Sequence, residues 1–320
     1  MEYSERCVQN QLPSIEPPVL SYLPAILYIP AIVSLMKTPV VGVILALAFS
    51  GCFQQIAVNS LGGIMDAGFE VLNEEQDLGL AEKSIASNLK LIETILRQDP
   101  DNPRYLLLAS IGYTSYALGF VEDDSAPRAR LFYLRARDYG MRILNRHGQF
   151  QAHAERGIGE FTKGFAALSK DDVPAAFWTA AGWGSYIRSD LSDLAAVAEL
   201  PKVEALTKFV LKTDSSFFYG GAHFLLGTLY GSRPPIFGGD PEISRKHFEE
   251  CLRINGGRFL MTYIYYAASY AVQTQDKALF ERCLTTVDTT SIDVLPASRL
   301  SNAIAKKKAK LLRSRIEELF

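Results

Sequence analysis

From Gln54 to the C-terminus, apolar side chains recur every three or four residues, and this helical period constrains the fold more than any other feature of the chain. Ile85, Leu89, Ile92 and Leu96 stand at i, i+4, i+7 and i+11, and Ala129, Phe132, Ala136, Tyr139 and Ile143 follow the same kind of spacing. Asp-Pro, Gly-Gly and Ser-Arg-Pro-Pro breaks fill the gaps, and no strand-length alternation competes. The pattern predicts an all-α chain of short helices. Read as antiparallel neighbours, they pair about 79–98 with 102–120, 126–147 with 150–168, 173–188 with 190–200, 203–213 with 217–231, 241–254 with 259–273, and 276–285 with a terminal helix from about 296.

Helix pairs of this length invite a test for tetratricopeptide-like repeats. His223-x-x-Leu226-Gly227-x-x-Tyr230 reproduces the first-helix signature. Ser244-x-x-x-Phe248-x-x-Cys251 supplies the small-large-small second half, with Gly256 where proline is usual. Tyr105-x-x-Leu108-Ala109-x-x-Gly112 is a weaker first half. Small residues let two helices approach while large ones fill a neighbour's groove, so each unit is stable only when stacked. The insertion Ser232 to Asp240 interrupts the best repeat with prolines and glycines, and it carries Arg233, Ile236 and Phe237.

Ahead of the helical region, Lys37 and the apolar run Val40 to Phe49 lead into Ser50-Gly51-Cys52. The run is too short to span a bilayer and reads as a lipoprotein signal, with Phe49 where an aliphatic residue is usual. The expected organisation is therefore an N-terminal extension plus signal over 1–51, with translation starting at Met36, and a single helical-repeat domain over 52–320 that begins at a lipidated Cys52. Proline interrupts the apolar stretch from Val19 to Leu35 twice, so it is not expected to span a membrane.

Without residues 1–51 the chain keeps 31 of 33 basic and 32 of 35 acidic side chains, a near balance that offers no electrostatic footprint for nucleic acid. Cys251 and Cys283 fall mid-helix and read as small packed residues rather than a disulfide. The four histidines, His147, His153, His223 and His247, form no H-E-x-x-H, and no cysteine lies at ligand spacing from them. Gly159 to Gly164 has phosphate-loop glycine spacing, but Phe165 stands where lysine belongs. Asp99 and Asp101 begin like a calcium loop, but Arg104 occupies its glycine position. No G-x-S-x-G elbow occurs. Neither an enzyme nor a bound metal or other cofactor is expected.

The second half contains Ala176-Phe177-Trp178-Thr179-Ala180-Ala181-Gly182-Trp183-Gly184, Phe217-Phe218-Tyr219-Gly220-Gly221-Ala222-His223, Gly238-Gly239-Asp240-Pro241-Glu242, Gly256-Gly257-Arg258-Phe259-Leu260 and Asn302-Ala303-Ile304-Ala305-Lys306-Lys307-Lys308-Ala309-Lys310. In these residues the chain resembles the T-component family of tripartite ATP-independent periplasmic (TRAP) transporters, lipoproteins built on degenerate tetratricopeptide repeats. The match weakens over Asp190 to Leu200. The resemblance implies a periplasmic, lipid-anchored accessory protein that engages the soluble substrate-binding subunit. It also implies a homotrimer with a ligand-accessible channel in each protomer.

Aromatic density then points to a binding surface. Trp178, Trp183, Tyr186, Phe217, Phe218, Tyr219, Tyr230, Phe237, Tyr263, Tyr265, Tyr266 and Tyr270 crowd the second half, and a repeat array presents an inner face on which aromatics could hold an apolar or amphiphilic ligand, with Trp178, Trp183, Tyr186, Phe218, Tyr219, Tyr230, Tyr263 and Tyr266 as the candidates. His223 fits either a hydrogen-bonded core position or a contact on that face. Arg233, Ile236 and Phe237 are placed at its mouth, with folding back onto the repeat core as the other reading. The basic run Lys306, Lys307, Lys308, Lys310, Arg313 and Arg315 is expected to be a solvated face behind a stripe of Ile304, Leu311, Leu312, Ile316 and Leu319. The alternative function is a general envelope scaffold lipoprotein with no ligand of its own.

Overall fold

Local capping and one-sided apolar faces decide where the helices form. In the computed structural model, which describes residues 67–320 together with 63 and 65, α1 (Leu78–Gln98) begins where Asp77 accepts a hydrogen bond from the Leu80 amide at 2.9 Å. It buries Ala81, Ile85, Leu89, Ile92 and Leu96 on one face and carries Arg97 in its last turn. The expected signal segment, Cys52 and the extension before them lie outside the described residues. α2 (Pro103–Tyr116) starts at an Asn102 cap with proline in its first turn, and it runs on through a π-turn, Ala117–Val121. It is buried almost all round, the mark of a central helix. The remaining main elements are α3 (Ala126–Leu144), α4 (Gly148–Ala154), α5 (Val173–Arg188), α6 (Leu200–Thr213), α7 (Phe217–Gly231), α8 (Pro241–Asn255), α9 (Met261–Tyr265), α10 (Lys277–Thr289) and α11 (Arg299–Ser314). Among the described residues there is no strand, and the chain is all-α.

Small residues set which helices touch. α2 and α3 cross antiparallel, with the Ser110 hydroxyl donating to the Ala136 carbonyl at 2.9 Å and Tyr113 stacked on Tyr139. α3 then meets α5 at glycines on both sides. A Cβ on Gly140 would lie 2.1 Å from Thr179 Oγ1, and one on Gly182 would lie 3.1 Å from the Ala136 Cβ. α7 and α8 pack at small residues: Gly227 lies against the Phe248 ring, and the Ser244 hydroxyl donates to the Gly227 carbonyl at 2.7 Å. Gly256 ends α8 in the left-handed conformation at φ 62°.

Three of the expected pairings are corrected. α3 packs between α2 and α5 rather than against residues 150–168, which fold on themselves around Phe150, Phe161 and Phe165. α5 pairs with α6, because Asp190 to Glu199 is mostly turn and holds only the short helix Leu194–Val197. α8 lies chiefly on α7 rather than on residues 259–273. Glycines line these contacts: Gly140 and Gly182 between α3 and α5, Gly184 against Val203 of α6, and Gly227 against Phe248 of α8. Cys251 and Cys283 are free and buried.

The last long helix returns to the first long one: α11 packs on α1, and Ile304 covers Gly119 in the π-turn. Here the expectation of a solvated basic face fails for one residue. Lys308 is 4 % exposed and donates to Glu122 at 2.9 Å and to the two Asp123 oxygens at 2.8 and 2.9 Å. Glu122 also accepts from Arg188 at 2.7 Å and from the Tyr133 and Tyr265 hydroxyls at 2.6 and 3.2 Å. Leu311, expected inside, is 37 % exposed, and Lys308 with Ala309 takes the inward position. Burial alone would raise the Glu122 carboxyl, but Arg188 and Lys308 overcome it and hold it down at about 2.

Because Glu122 titrates lower in the folded state than its usual value of 4.5, its contribution is complete above about pH 4.5 and is lost as pH falls toward about 2. Lys308→Met should cost about 3 kcal/mol in urea unfolding at pH 7. That is the low end for breaking a buried pair, because Glu122 retains Arg188. The gap from the parent protein should narrow as the pH is lowered through that window. Equal midpoints at pH 7 would show that the network does not hold α11 in place.

Candidate functional site

The start of α7 departs from helix geometry. Phe218, Tyr219 and Gly220 have φ of 47°, 60° and 82°, three successive left-handed residues of which two carry rings. Such a conformation costs on the order of 1–3 kcal/mol per non-glycine residue and persists only where surroundings enforce it. Here the Tyr219 carbonyl accepts from Asn255 Nδ2 at 3.3 Å and from the Cys251 thiol at 3.6 Å. The turn aims both rings into a cluster: Phe218 lies 4.9 Å from Trp178, 5.4 Å from Phe177 and 5.7 Å from Phe259, while Tyr219 stacks on Phe259 at 5.3 Å.

These rings form one wall of a cavity of about 180 Å³ between α5, α6, α7, α9 and the end of α2. Leu118, Ile187, Leu200, Val203, Phe224, Leu229 and Met261 add to its apolar lining. Two cations reach it. Arg188 keeps 36 % of its side chain accessible, stacks over the Tyr265 ring at 5.7 Å and is fixed by Glu122. Burial would weaken its charge, but the Glu122 carboxylate more than compensates and raises its pKa. Arg233 donates from Nε to the Leu229 carbonyl at 2.9 Å and from Nη1 to the Phe237 carbonyl at 3.4 Å.

Four of the residues picked from the sequence, Trp178, Phe218, Tyr219 and Arg233, line this cavity. The others lie elsewhere. Trp183 points to another side of α5, edge-on to Phe161 and beneath Arg137. Tyr186 carries the Arg130 guanidinium over its ring at 4.4 Å. His223 and His247 share a hydrogen bond between their Nδ1 atoms at 2.9 Å. Burial, then the neighbouring histidine, hold His247 down at about 4, so at neutral pH one ring donates to the other. Tyr230 donates to Glu204 at 2.6 Å. The Tyr263 hydroxyl lies over Gly257, and Tyr266 packs between Phe248 and Tyr270. Ile236 and Phe237 are 85 % and 69 % exposed, so they do not fold back onto the core.

Sequence reasoning missed Phe177, Arg188, Phe224, Phe259 and Met261 in the lining, and Tyr265, which belongs to the aromatic-rich half, was not singled out as a candidate. One signal was available: from Trp178, the helical steps i+3, i+7 and i+10 reach Ala181, Ser185 and Arg188, all on the cavity wall. Trp183, five residues on, is turned about 140° away.

A family model described as TRAP transporter T-component matches residues 74–320, a span that contains every cavity residue. No curated protein matches the chain. The chain therefore belongs to the TRAP transporter T-component family and is an accessory component of that transport.

Proposed function

We propose that the protein is a periplasmic, lipid-anchored T-component whose cavity takes up an apolar or amphiphilic small molecule and whose exposed loop docks the soluble substrate-binding subunit. The aromatic-walled cavity carries this reading: an apolar volume of about 180 Å³ exceeds the roughly 150 Å³ that suffices for benzene. Backbone strain at Phe218 and Tyr219 shapes its wall, as is common where a protein forms a binding site. The Gly227–Phe248 contact supports tetratricopeptide-type packing, and assembly as a homotrimer rests on the family resemblance alone.

The loop supports the docking part. Residues Pro235–Phe237 form a 3-10 turn closed by Gly238 at φ 79°, and a Cβ on Gly239 would strike the Arg233 carbonyl at 1.7 Å. The conformation is therefore preorganised, and two large apolar side chains in water gain free energy when a partner covers them.

The chain has two tryptophans, so Trp183→Phe leaves Trp178 as a single reporter inside the cavity. Titration with octan-1-ol should shift its emission saturably. Ser185→Leu, which adds bulk from α5, should weaken that binding at least about tenfold with the melting temperature kept. Binding unaffected by Ser185→Leu would remove the cavity from the function.

Replacing Ile236 and Phe237 together by Ser should leave stability within about 0.5 kcal/mol, since both are exposed, and weaken capture of the substrate-binding subunit. Intact capture would exclude the loop from docking. For the anchor, palmitate labelling should vanish in Cys52→Ser, and retention of that variant on membranes would count against lipidation there.

A further inference from the structure

We propose that Arg233 anchors the head group of an anionic amphiphile, so that the cavity selects a monoanion with an apolar body over a neutral molecule of the same shape. The proposal rests on the ligand-binding reading above and adds the chemical class of the ligand.

The two cavity arginines differ in what neutralises them. Arg188 and Lys308 face Glu122 and Asp123, two positive charges against two negative ones at hydrogen-bond distance. That network is complete without a ligand. Arg233 has no carboxylate within ion-pair distance among the described residues and is held by two backbone carbonyls alone. The acid that acts on it electrostatically, Glu204, is already paired with Lys208 at 2.6 Å and takes the Tyr230 hydroxyl at 2.6 Å. One positive charge is therefore left over at this end of the cavity. Burial pulls the Arg233 pKa below its usual value, but a guanidinium does not deprotonate, so the desolvation cost stands until an anion arrives.

Three of the lining hydroxyls are already engaged. Thr207, Thr228 and Ser232 line the same space, and each donates to the carbonyl four residues back on its own helix, at 2.8, 2.9 and 2.6 Å. Arg233 uses two N–H groups on carbonyls. A guanidinium has five N–H donors, and the unused ones form a planar fork that fits a carboxylate or another small monoanionic head. The aromatic wall of Trp178 and Phe218 then takes the apolar body.

The test compares octanoate with octan-1-ol at pH 7, read by Trp178 emission in the Trp183→Phe protein. In the Arg233→Gln variant the preference for octanoate over octanol should fall about tenfold or more, while the octanol affinity stays within about twofold. Arg233→Lys should keep part of the preference, and added salt should weaken octanoate but not octanol. An octanoate preference that survives Arg233→Gln, or an octanol affinity that falls in parallel, overturns the anchor and leaves the cavity reading standing. Failure of both probes to bind the Arg233-bearing protein overturns the cavity reading and the anchor together.

Discussion

The buried charge cluster around Glu122 is the constraint on which the rest of the molecule depends. One carboxylate at the end of the π-turn gathers Arg188 from α5, Tyr133 from α3, Tyr265 from the end of α9 and Lys308 from α11. Taking so many polar groups out of water is costly, and the cost is offset only when every one is hydrogen-bonded and the charges balance. Both conditions hold together only when α11 lies against the π-turn that follows α2. The cluster thus selects one closure of the chain among the many that would bury similar apolar area.

Closure at Glu122 also positions the cavity. Arg188 is drawn to the carboxylate, which fixes the end of α5 and the polar corner of the lining. At the opposite wall the left-handed turn of Phe218 to Gly220 is enforced by Asn255 and Cys251, which hold the Tyr219 carbonyl from α8. The cavity is bounded on one side by electrostatics and on the other by strain. Neither boundary can shift toward the other without first giving up buried hydrogen bonds, which keeps an apolar cavity inside an otherwise close-packed body.

Whatever depended on local chemistry was legible in the sequence. The 3.6-residue period places α1 and α3, and the small residues Gly227 and Ser244 stand where α7 and α8 meet. What depended on distant complementarity was not. The meeting of Gly140 with Thr179 joins segments that no turn brings together. Lys308 sits in a run of lysines that reads as solvent-facing, and its acceptors are 185 and 186 residues away. For the site, aromatic content identified the right half of the chain but not the face. Trp178 is on the cavity wall and Trp183 is not, because the lining face of α5 runs from Ile187 through Arg188 and Ala181 to Trp178, and Trp183 falls on the opposite arc.

Arg233 links two features that would otherwise be separate. Its guanidinium lines the cavity, while its Nη1 group donates to the Phe237 carbonyl in the exposed loop. The backbone there is already restricted by Pro234, Pro235 and the close approach of Gly239 to the Arg233 carbonyl, so few conformations satisfy that hydrogen bond. At 3.4 Å the bond is long, and a long bond to a neutral carbonyl is weaker than one to a charged acceptor. The donor that steadies the loop is therefore also the donor least committed within the cavity. The loop's two exposed apolar side chains, Ile236 and Phe237, are presented from a backbone anchored to the cavity wall rather than from a free surface turn.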